Sequence, residues 1–567
     1  MIKKKTVLVI GTGPSGLCVA KHLIDHPGLF TQVDIVEEGS QIGGTFRNKS
    51  YEDGKMVSST YITAFSDYRW QEFTTEKQKG DSHHAMIDKY LEYLNAYTEK
   101  FDLLSRIHFN KKVISVVKYH GKYKVYFVNQ IQPSTYDYVC LCSGLHHLPF
   151  IPDVYKKVKN PTAIMHSIDY KTKEVMRNKR VLIVGCGETA MDIAYHATGV
   201  SKSVAMVIRD GFLSAPTRLT DNVPLDTFIT NLFECSYVHP YVEKFRIKQM
   251  ITTVFFRAGF LIFTGASVGY NQWVGGLANV KRGYHIINKQ DKALPYLNRP
   301  YKQKSWRGRW FYKDPLDDPK RHYIRVYKNE VKNVAEIAAS NTSTRVIFID
   351  DSAATFDLII LCTGYEQKFN MDLPHGRSTL PNERNIVFSD DLQLPYFGFV
   401  RPNVGAIPPM TELQILWWLR RIQNGVKLPL AKTTYNLLGK NKRTINYSVD
   451  YGNYMHVLGR DIGAAPNLFS RFFLVDHPKA LLSYMFGQAY ISFFRLQGSY
   501  ADSHSLKVSE KELYQVVKNR GIITNIIFWF ILVFFGSVNI TALCLDVCLV
   551  SPLLRLLSWG RKSKSTK

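Results

Sequence analysis

The stretch Thr6–Gly16 reads Thr-Val-Leu-Val-Ile-Gly-Thr-Gly-Pro-Ser-Gly. Its apolar half, Thr6–Ile10, suits a buried strand. Gly11, Thr12 and Gly13 suit a tight turn, and Pro14, Ser15 and Gly16 open a helix. Glycine lets the backbone approach a pyrophosphate, and the helix N-terminus stabilises its negative charge. The pattern recurs at Val181–Val184, followed by Gly185, Cys186, Gly187, Glu188, Thr189 and Ala190. Ala190 takes the third glycine's place, which the fingerprint permits. One such loop is a weak signal. Two, each in strand-loop-helix context, predict an α/β chain with two Rossmann-like dinucleotide-binding domains. Electron transfer between two bound cofactors is then the simplest chemistry. A strand-turn-helix that holds no ligand is the plain alternative at either place.

The strands that follow the loops separate the two cofactors. Val33–Val36 ends in Glu37, about 20 residues beyond the first loop, where an acid hydrogen-bonds ribose hydroxyls and repels a 2′-phosphate. That favours FAD or NAD over NADP, and the N-terminal position with Gly43-Gly44 favours FAD. Ser203–Ile208 ends in Arg209 with no acid. A guanidinium there makes paired charge-assisted bonds to a 2′-phosphate, so the second loop favours NADPH. A solvated surface arginine is the alternative. Phe356–Leu361 leads into Cys362-Thr363-Gly364-Tyr365, as Tyr138–Leu141 leads into Cys142-Ser143-Gly144. The small residues at both ends are expected to let the chain return beside the flavin domain.

Length and composition set bounds. At 567 residues the chain is too long for one ordinary core. Its net charge is +26, from 73 basic and 47 acidic residues, and two dinucleotides offset little of it. The excess points to contact with an anionic surface. Arg299–Lys328 is basic and carries Trp306 and Trp310; with an apolar tail in the same chain, lipid headgroups suit it better than nucleic acid. A solvated loop explains it equally. The eight cysteines show no zinc-finger spacing and read as small apolar residues in a reducing compartment, and no metal site is expected. Met1–Lys5 runs directly into the first strand, so no cleavable signal peptide is expected.

Along the chain, residues 1–155 are expected to begin the FAD-binding domain. Met86–Phe101 has helical spacing, and Val113–Phe127 alternates around a turn at His120-Gly121 as a hairpin does. Residues 156–330 are expected to hold the NADPH-binding domain, interrupted at about 212–300. Within the insertion, Met250–Phe263 is apolar but broken by Arg257, and reads as a packed helix before a surface-dipping one. Residues 331–470 are expected to return to the FAD-binding domain, with an apolar helix face over Glu412–Ile422. Residues 471–567 form the C-terminal region, with a membrane anchor at about 521–557. Gly521–Leu543 is long enough to cross a hydrocarbon layer of about 30 Å. A hairpin or an in-plane helix pair is the alternative.

Taken together, these motifs resemble the flavin-containing monooxygenases over most of the chain. The likeness covers the first loop with Glu37, Ile42-Gly43-Gly44-Thr45-Phe46-Arg47, Ala64-Phe65-Ser66-Asp67-Tyr68 and the second loop. It continues through Cys362–Tyr365, Tyr396–Pro402, Gly405–Pro409 and Glu412-Leu413-Gln414. The resemblance implies FAD held by Gly11, Thr12, Gly13, Pro14, Ser15, Gly16, Glu37, Gly44, Thr45, Phe46, Ser58, Thr363 and Gly364. It implies NADPH held by Gly185, Gly187, Thr189, Ala190, Asp192 and Arg209. The implied reaction is oxygenation of a nucleophilic nitrogen or sulfur of a small apolar substrate by O2, through a C4a-hydroperoxyflavin, with no covalent side-chain catalyst. The usual address of membrane-bound members is the endoplasmic reticulum, with the catalytic domains facing the cytosol.

The departures from the family pattern are specific. Of the fingerprint before the second loop, His166, Tyr170 and Lys171 match, while Asn160 and Thr162 replace Phe and Gly. His166 reads equally as a packed loop histidine. Val57 stands where an asparagine is usual near the flavin, with Ser58 next to it. Glu188 stands inside the second loop, where a carboxylate is unexpected beside phosphates. Val57 and Glu188 leave two rivals open: an uncoupled NADPH oxidase releasing hydrogen peroxide, and a membrane-anchored FAD-binding scaffold without turnover.

Overall fold

The structure is a computed structural model. It describes residues 5–74, 83–144, 146–156, 164–208, 320–327, 331–336, 343–366, 368–376, 379–402, 405–423 and 448–553. It also describes residues 428, 430–431, 433 and 435, and within the insertion 212–214, 218–220, 223–228, 242, 254, 273–274, 287–288 and 291–297. Met250–Phe263 therefore lies outside the described residues apart from Val254, and so does the basic stretch before Lys320.

Two parallel sheets organise the described chain. In the first, β1 (Lys5–Ile10) feeds α1 (Pro14–Ile24), which returns to β2 (Phe30–Val36). The sheet is completed by β3 (Ile107–His108) and β4 (Tyr138–Leu141), in the order β3-β2-β1-β4. All pairings are parallel. Covered on both faces, β1 needs an unbroken apolar run and not an alternating one. Val7 and Val9 pack on the side of α1, while Leu8 and Ile10 pack towards the hairpin Val113–Phe127, whose strands turn at His120-Gly121 as expected.

In the second sheet the order is β8-β7-β6-β9-β5. These strands are β5 (Ile164–His166), β6 (Arg180–Val184), β7 (Ser203–Val207), β8 (Ile324–Tyr327) and β9 (Leu358–Leu361). Here α2 (Glu188–Val200) is the crossover from β6 to β7. Again every pairing is parallel. One expectation needs correction. The run Phe356–Leu361 was assigned to the returning flavin part, but β9 pairs with β6 in register from Val181↔Leu358 to Val184↔Leu361. The chain leaves the second sheet after Leu361. The short antiparallel pair Leu148–Pro149 with Tyr365–Glu366 lays the outgoing and returning linkers side by side.

Beyond the linkers, α3 (Ile407–Gln423) packs against α1 and α4 (Tyr451–Asp461). Its burial is nearly complete around the helix and not confined to one apolar face; Thr411, Glu412 and Gln414 are buried too. Each buried polar group has a fixed partner. Glu412 accepts the Ser66 N–H at 3.0 Å and an Arg495 N–H at 3.2 Å. Burial pushes its carboxyl up, as does nearby Asp67, while Arg495 pulls it down.

The C-terminal region adds α5 (Pro478–Phe486), α6 (Ser503–Glu510), α7 (Glu512–Asn519) and α8 (Ile522–Leu545). The apolar run Ile522–Leu553 has a mean hydropathy of 2.3, and 12% of its most apolar window is buried. By length and composition it is able to cross a membrane.

The buried pair of Arg384 and Asp461 is a test of how this core is held. Asp461 accepts from Arg384 at 2.6 and 2.9 Å, from the Trp417 indole at 3.0 Å and from the Ala431 N–H at 2.8 Å. Asp461→Ala strands all of these donors and is expected to cost about 3–5 kcal/mol, read from the denaturation midpoint in urea. Asp461→Asn, which keeps an acceptor, is expected to cost less.

Candidate functional site

Each loop is a cradle made of backbone. Gly11 leaves β1 at φ 103°, and its N–H donates to the Val36 carbonyl at 2.8 Å. A Cβ on Gly11 would stand 2.8 Å from the carbonyl oxygen of Cys142, at the end of β4. A Cβ on Gly16 would overlap the Gly11 carbonyl oxygen outright. So α1 lies directly on the loop, and its first free N–H groups face the turn. Gly13 supplies the N-cap, followed by Pro14. The loop is closed from above: the Gly43 N–H donates to the Thr12 carbonyl at 3.0 Å, and Gly44, at φ 53°, faces Gly13. Thr45 and Phe46 start the next helical turn, with Phe46 edge-on to Tyr90 at 4.9 Å. The Ser15 hydroxyl shares a 3.0 Å hydrogen bond with Thr411, so it is committed to α3.

Glu37 has a bracing role that the sequence did not reveal. It is 6% exposed, and its Oε2 accepts both the Thr12 N–H (2.9 Å) and the Thr12 hydroxyl (2.7 Å). Its Oε1 accepts the Gly39 N–H at 2.9 Å. A carboxylate has about four lone-pair sites, so about one remains for a ribose hydroxyl.

The second loop repeats the strand-end hydrogen bonds of the first. Gly185, at φ 118°, donates to the Val207 carbonyl at 3.1 Å, and a Cβ on it would stand 2.5 Å from the Cys362 carbonyl oxygen. Cys142 donates to Ile10 at 3.0 Å, and Cys362 donates to Val184 at 2.9 Å. Gly187 is the N-cap of α2, with open space where a Cβ would lie, and Gly364 beyond Cys362 is open in the same way. Such openings suit a pyrophosphate and a ring system that must approach the main chain. Ala190 is fully buried with its Cβ accommodated, at the place where Gly16 admits none. Thr189 and the half-buried Glu188 form the first turn of α2. Arg209 lies outside the described residues.

The remaining candidates meet at the seam between the sheets. Asp192, on α2, accepts the Tyr51 hydroxyl at 2.8 Å. The Thr363 hydroxyl donates to the Phe150 carbonyl, and Phe150 N–H donates to the Gly364 carbonyl at 2.9 Å. The fingerprint residues act here as well. His166 is 4% exposed; its Nδ1 accepts the Ile168 N–H at 3.2 Å while Nε2 lies 3.0 Å from the Gly364 carbonyl. That pattern requires a neutral ring with the proton on Nε2, and burial holds its pKa below the usual value. Lys171 donates to the Asn48 and Ser50 carbonyls at 2.9 and 3.3 Å. The Tyr170 hydroxyl and His196 Nδ1 share a 2.8 Å hydrogen bond. These groups hold one half against the other. Ser58, beside Val57, shares a 2.8 Å hydrogen bond with Thr63. Asp226, in the insertion, binds the Ser59 N–H at 2.6 Å, a contact no motif announced.

Two outcomes test the cradle and the seam. Gly16→Ala is expected to weaken flavin retention by about 5- to 150-fold, since forcing a methyl into a packed site costs about 1–3 kcal/mol. Ala190→Gly is expected to cost no more than about 1 kcal/mol. Flavin absorbance after gel filtration reads the first, and the denaturation midpoint in urea reads the second. At the seam, burial pushes His196 down from 6.5 to about 4. The folded chain therefore binds fewer protons than the unfolded chain below pH 6.5. Stability is whole above that pH and drains as pH falls towards about 4, by about 1–3 kcal/mol at this residue. His196→Gln is expected to flatten that part of the denaturation profile.

Comparison with known proteins agrees with this arrangement. The Flavin-binding monooxygenase-like family matches residues 4–252 and 320–520. Monooxygenase PC-14 of Penicillium crustosum is 30% identical, over 91% of this chain and 93% of its own length. Monooxygenase ptmN of Penicillium ochrochloron is 31% identical, over 91% and 90%. An open crystal structure of cyclohexanone monooxygenase aligns with a TM-score of 0.50 at 13% identity, covering 75% of this chain and 89% of that one, a likeness of fold. FAD and NADPH, the pair anticipated from the two loops, agree with these matches. On the extent of the family match and on its relatives, the chain belongs to the flavin-binding monooxygenase-like family.

Proposed function

We propose that the chain is an NADPH- and O2-dependent flavin monooxygenase that oxygenates a nucleophilic nitrogen or sulfur of a small apolar substrate, in the manner of the dimethylaniline monooxygenases. One observation carries the reading: two loops in one chain, each with a glycine at positive φ pressed on the carbonyl at the end of the neighbouring strand. FAD, reduced by NADPH, supplies the oxygen chemistry when bound.

The chain's own residues bind and orient. Gly11–Gly16 and the N-terminus of α1 take the FAD pyrophosphate, and Glu37 takes an adenosine ribose hydroxyl. Gly44, Thr45 and Phe46 close that side, while Thr363 and Gly364 shape the mouth between the halves. Gly185, Gly187, Thr189, Ala190 and the N-terminus of α2 take the NADPH pyrophosphate, with Arg209 on the 2′-phosphate. Asp192 serves this side indirectly, through Tyr51. The two halves are read as Rossmann-like nucleotide-binding domains. Val57 offers no hydrogen-bond donor to the reacting face, and Ser58 beside it offers a hydroxyl. The run Ile522–Leu553 supports an anchor in a lipid bilayer, with the endoplasmic reticulum as address and the catalytic domains on the cytosolic side.

Purified protein mixed with NADPH in air separates the readings. Oxygenation of an added tertiary amine or thioether, matched to NADPH use, is the expected result. Hydrogen peroxide matched to NADPH use would make the protein an oxidase, the reading Val57 favours. Absence of NADPH consumption by flavin-loaded protein would leave a scaffold and overturn the proposal.

A further inference from the structure

The segment that carries Val57 and Ser58 is tied at two buried points to the helix preceding the apolar C-terminus. The first point is Arg69, which is 1% exposed. It donates to both oxygens of Glu512, at 3.1 and 2.8 Å, and to the Tyr61 carbonyl at 2.8 Å. Glu512 opens α7.

The second point lies at the other end of α7. Arg520, 5% exposed, donates to the Phe486 carbonyl at the end of α5 and to the Thr227 carbonyl in the insertion. Thr227 is held in turn, its hydroxyl donating to Pro224 at 2.7 Å. Its neighbour Asp226, 1% exposed, accepts the Ser59 N–H through Oδ2 at 2.6 Å. The buried Tyr490 phenol reports the same proximity: burial raises its pKa, Arg520 lowers it and Asp226 raises it. Residue 521 is a glycine at φ 81°, and α8 starts directly after it.

So α7, about 12 Å long, is clamped at both ends to residues 59–69. The same helix leads into the run that is apolar enough to cross a membrane. A buried ion pair and a buried carboxylate on a main-chain N–H resist sliding, because breaking either leaves a charge or a donor without its partner. Across Gly521 the Asn525 amide donates to the Val517 carbonyl at 3.0 Å, which ties the root of α8 to α7 and so to Ser59.

We infer that Asp226 and Arg520 are positioning residues, which set the Val57–Ser59 segment against the reacting face and make its placement depend on how the C-terminal helix is seated in lipid. The inference rests on the proposed flavin site beside Ser58. Neither residue touches the cofactors; both act through the main chain of residues 59 and 227. A displacement of about 1 Å at such a segment is enough for large losses in a positioned reaction.

The test uses the full chain with bound flavin, in detergent and in phosphatidylcholine vesicles. The readout is the rate of hydrogen peroxide release per bound flavin, with NADPH alone in air. Asp226→Leu and Arg520→Gln are expected to raise it about 10-fold, with flavin content and the KM for NADPH unchanged. Asp226→Asn keeps an oxygen for the Ser59 N–H and is expected to stay close to the parent. In the parent, transfer from detergent to vesicles is expected to lower the leak, and Arg520→Gln is expected to lose that response.

Flavin-loaded Asp226→Leu or Arg520→Gln with the parent's leak would overturn the positioning role. If Asp226→Leu does not fold, Arg520→Gln alone decides. A parent indifferent to lipid would overturn the link to the anchor. A flavin-loaded parent that consumes no NADPH strikes the proposed function itself, and is distinct from either result.

Discussion

The structure depends on one close approach, made twice. At the end of the central strand of each sheet, a glycine at positive φ lies against the last carbonyl of the neighbouring strand: Gly11 on Cys142, Gly185 on Cys362. No side chain fits there without moving backbone. That contact fixes where the turn sits relative to the sheet edge. It also fixes the first turn of the following helix, whose free N–H groups make an anion-binding site. The strand order follows the same logic. In both sheets the glycine loop leaves the strand between a neighbour reached through the crossover helix and one reached from elsewhere in the chain, β4 or β9. The cleft for a nucleotide opens at that reversal.

The two sheets are then joined by hydrogen bonds. Lys171 on the carbonyls of Asn48 and Ser50, Tyr51 on Asp192, and His166 beneath Gly364 all cross or support the seam. This gives the fingerprint before the second loop a physical meaning. Its histidine and lysine saturate main-chain groups, and its tyrosine fixes the His196 ring on α2.

Much of this was legible in the sequence because the decisive features are local. Gly11 to Gly16, Gly185 to Ala190 and the apolar runs before them carry strand, turn and helix within about a dozen residues each. The hairpin at His120-Gly121 and the helix Ile87–Lys100 were readable for the same reason. The strand Leu358–Leu361 was misassigned because a run buried on both faces has no pattern to say which sheet it joins; only its partners decide that. Burial around the whole of α3 was hidden because its polar residues, Glu412 and Gln414, find partners far away in sequence. Asp226 was invisible for a related reason. A single aspartate in an insertion carries no spacing signal, and only the fold brings it to Ser59. Glu37 shows the reverse case: position alone identified it, yet its brace on Thr12 needed coordinates.

The difference between Gly16 and Ala190 means that the two cradles are not interchangeable. A methyl group at residue 16 would meet the Gly11 carbonyl oxygen, whereas the methyl of Ala190 is seated and buried. The first helix would have to shift before it could carry the second helix's residue at that place, so a single carbon atom distinguishes two otherwise parallel turns.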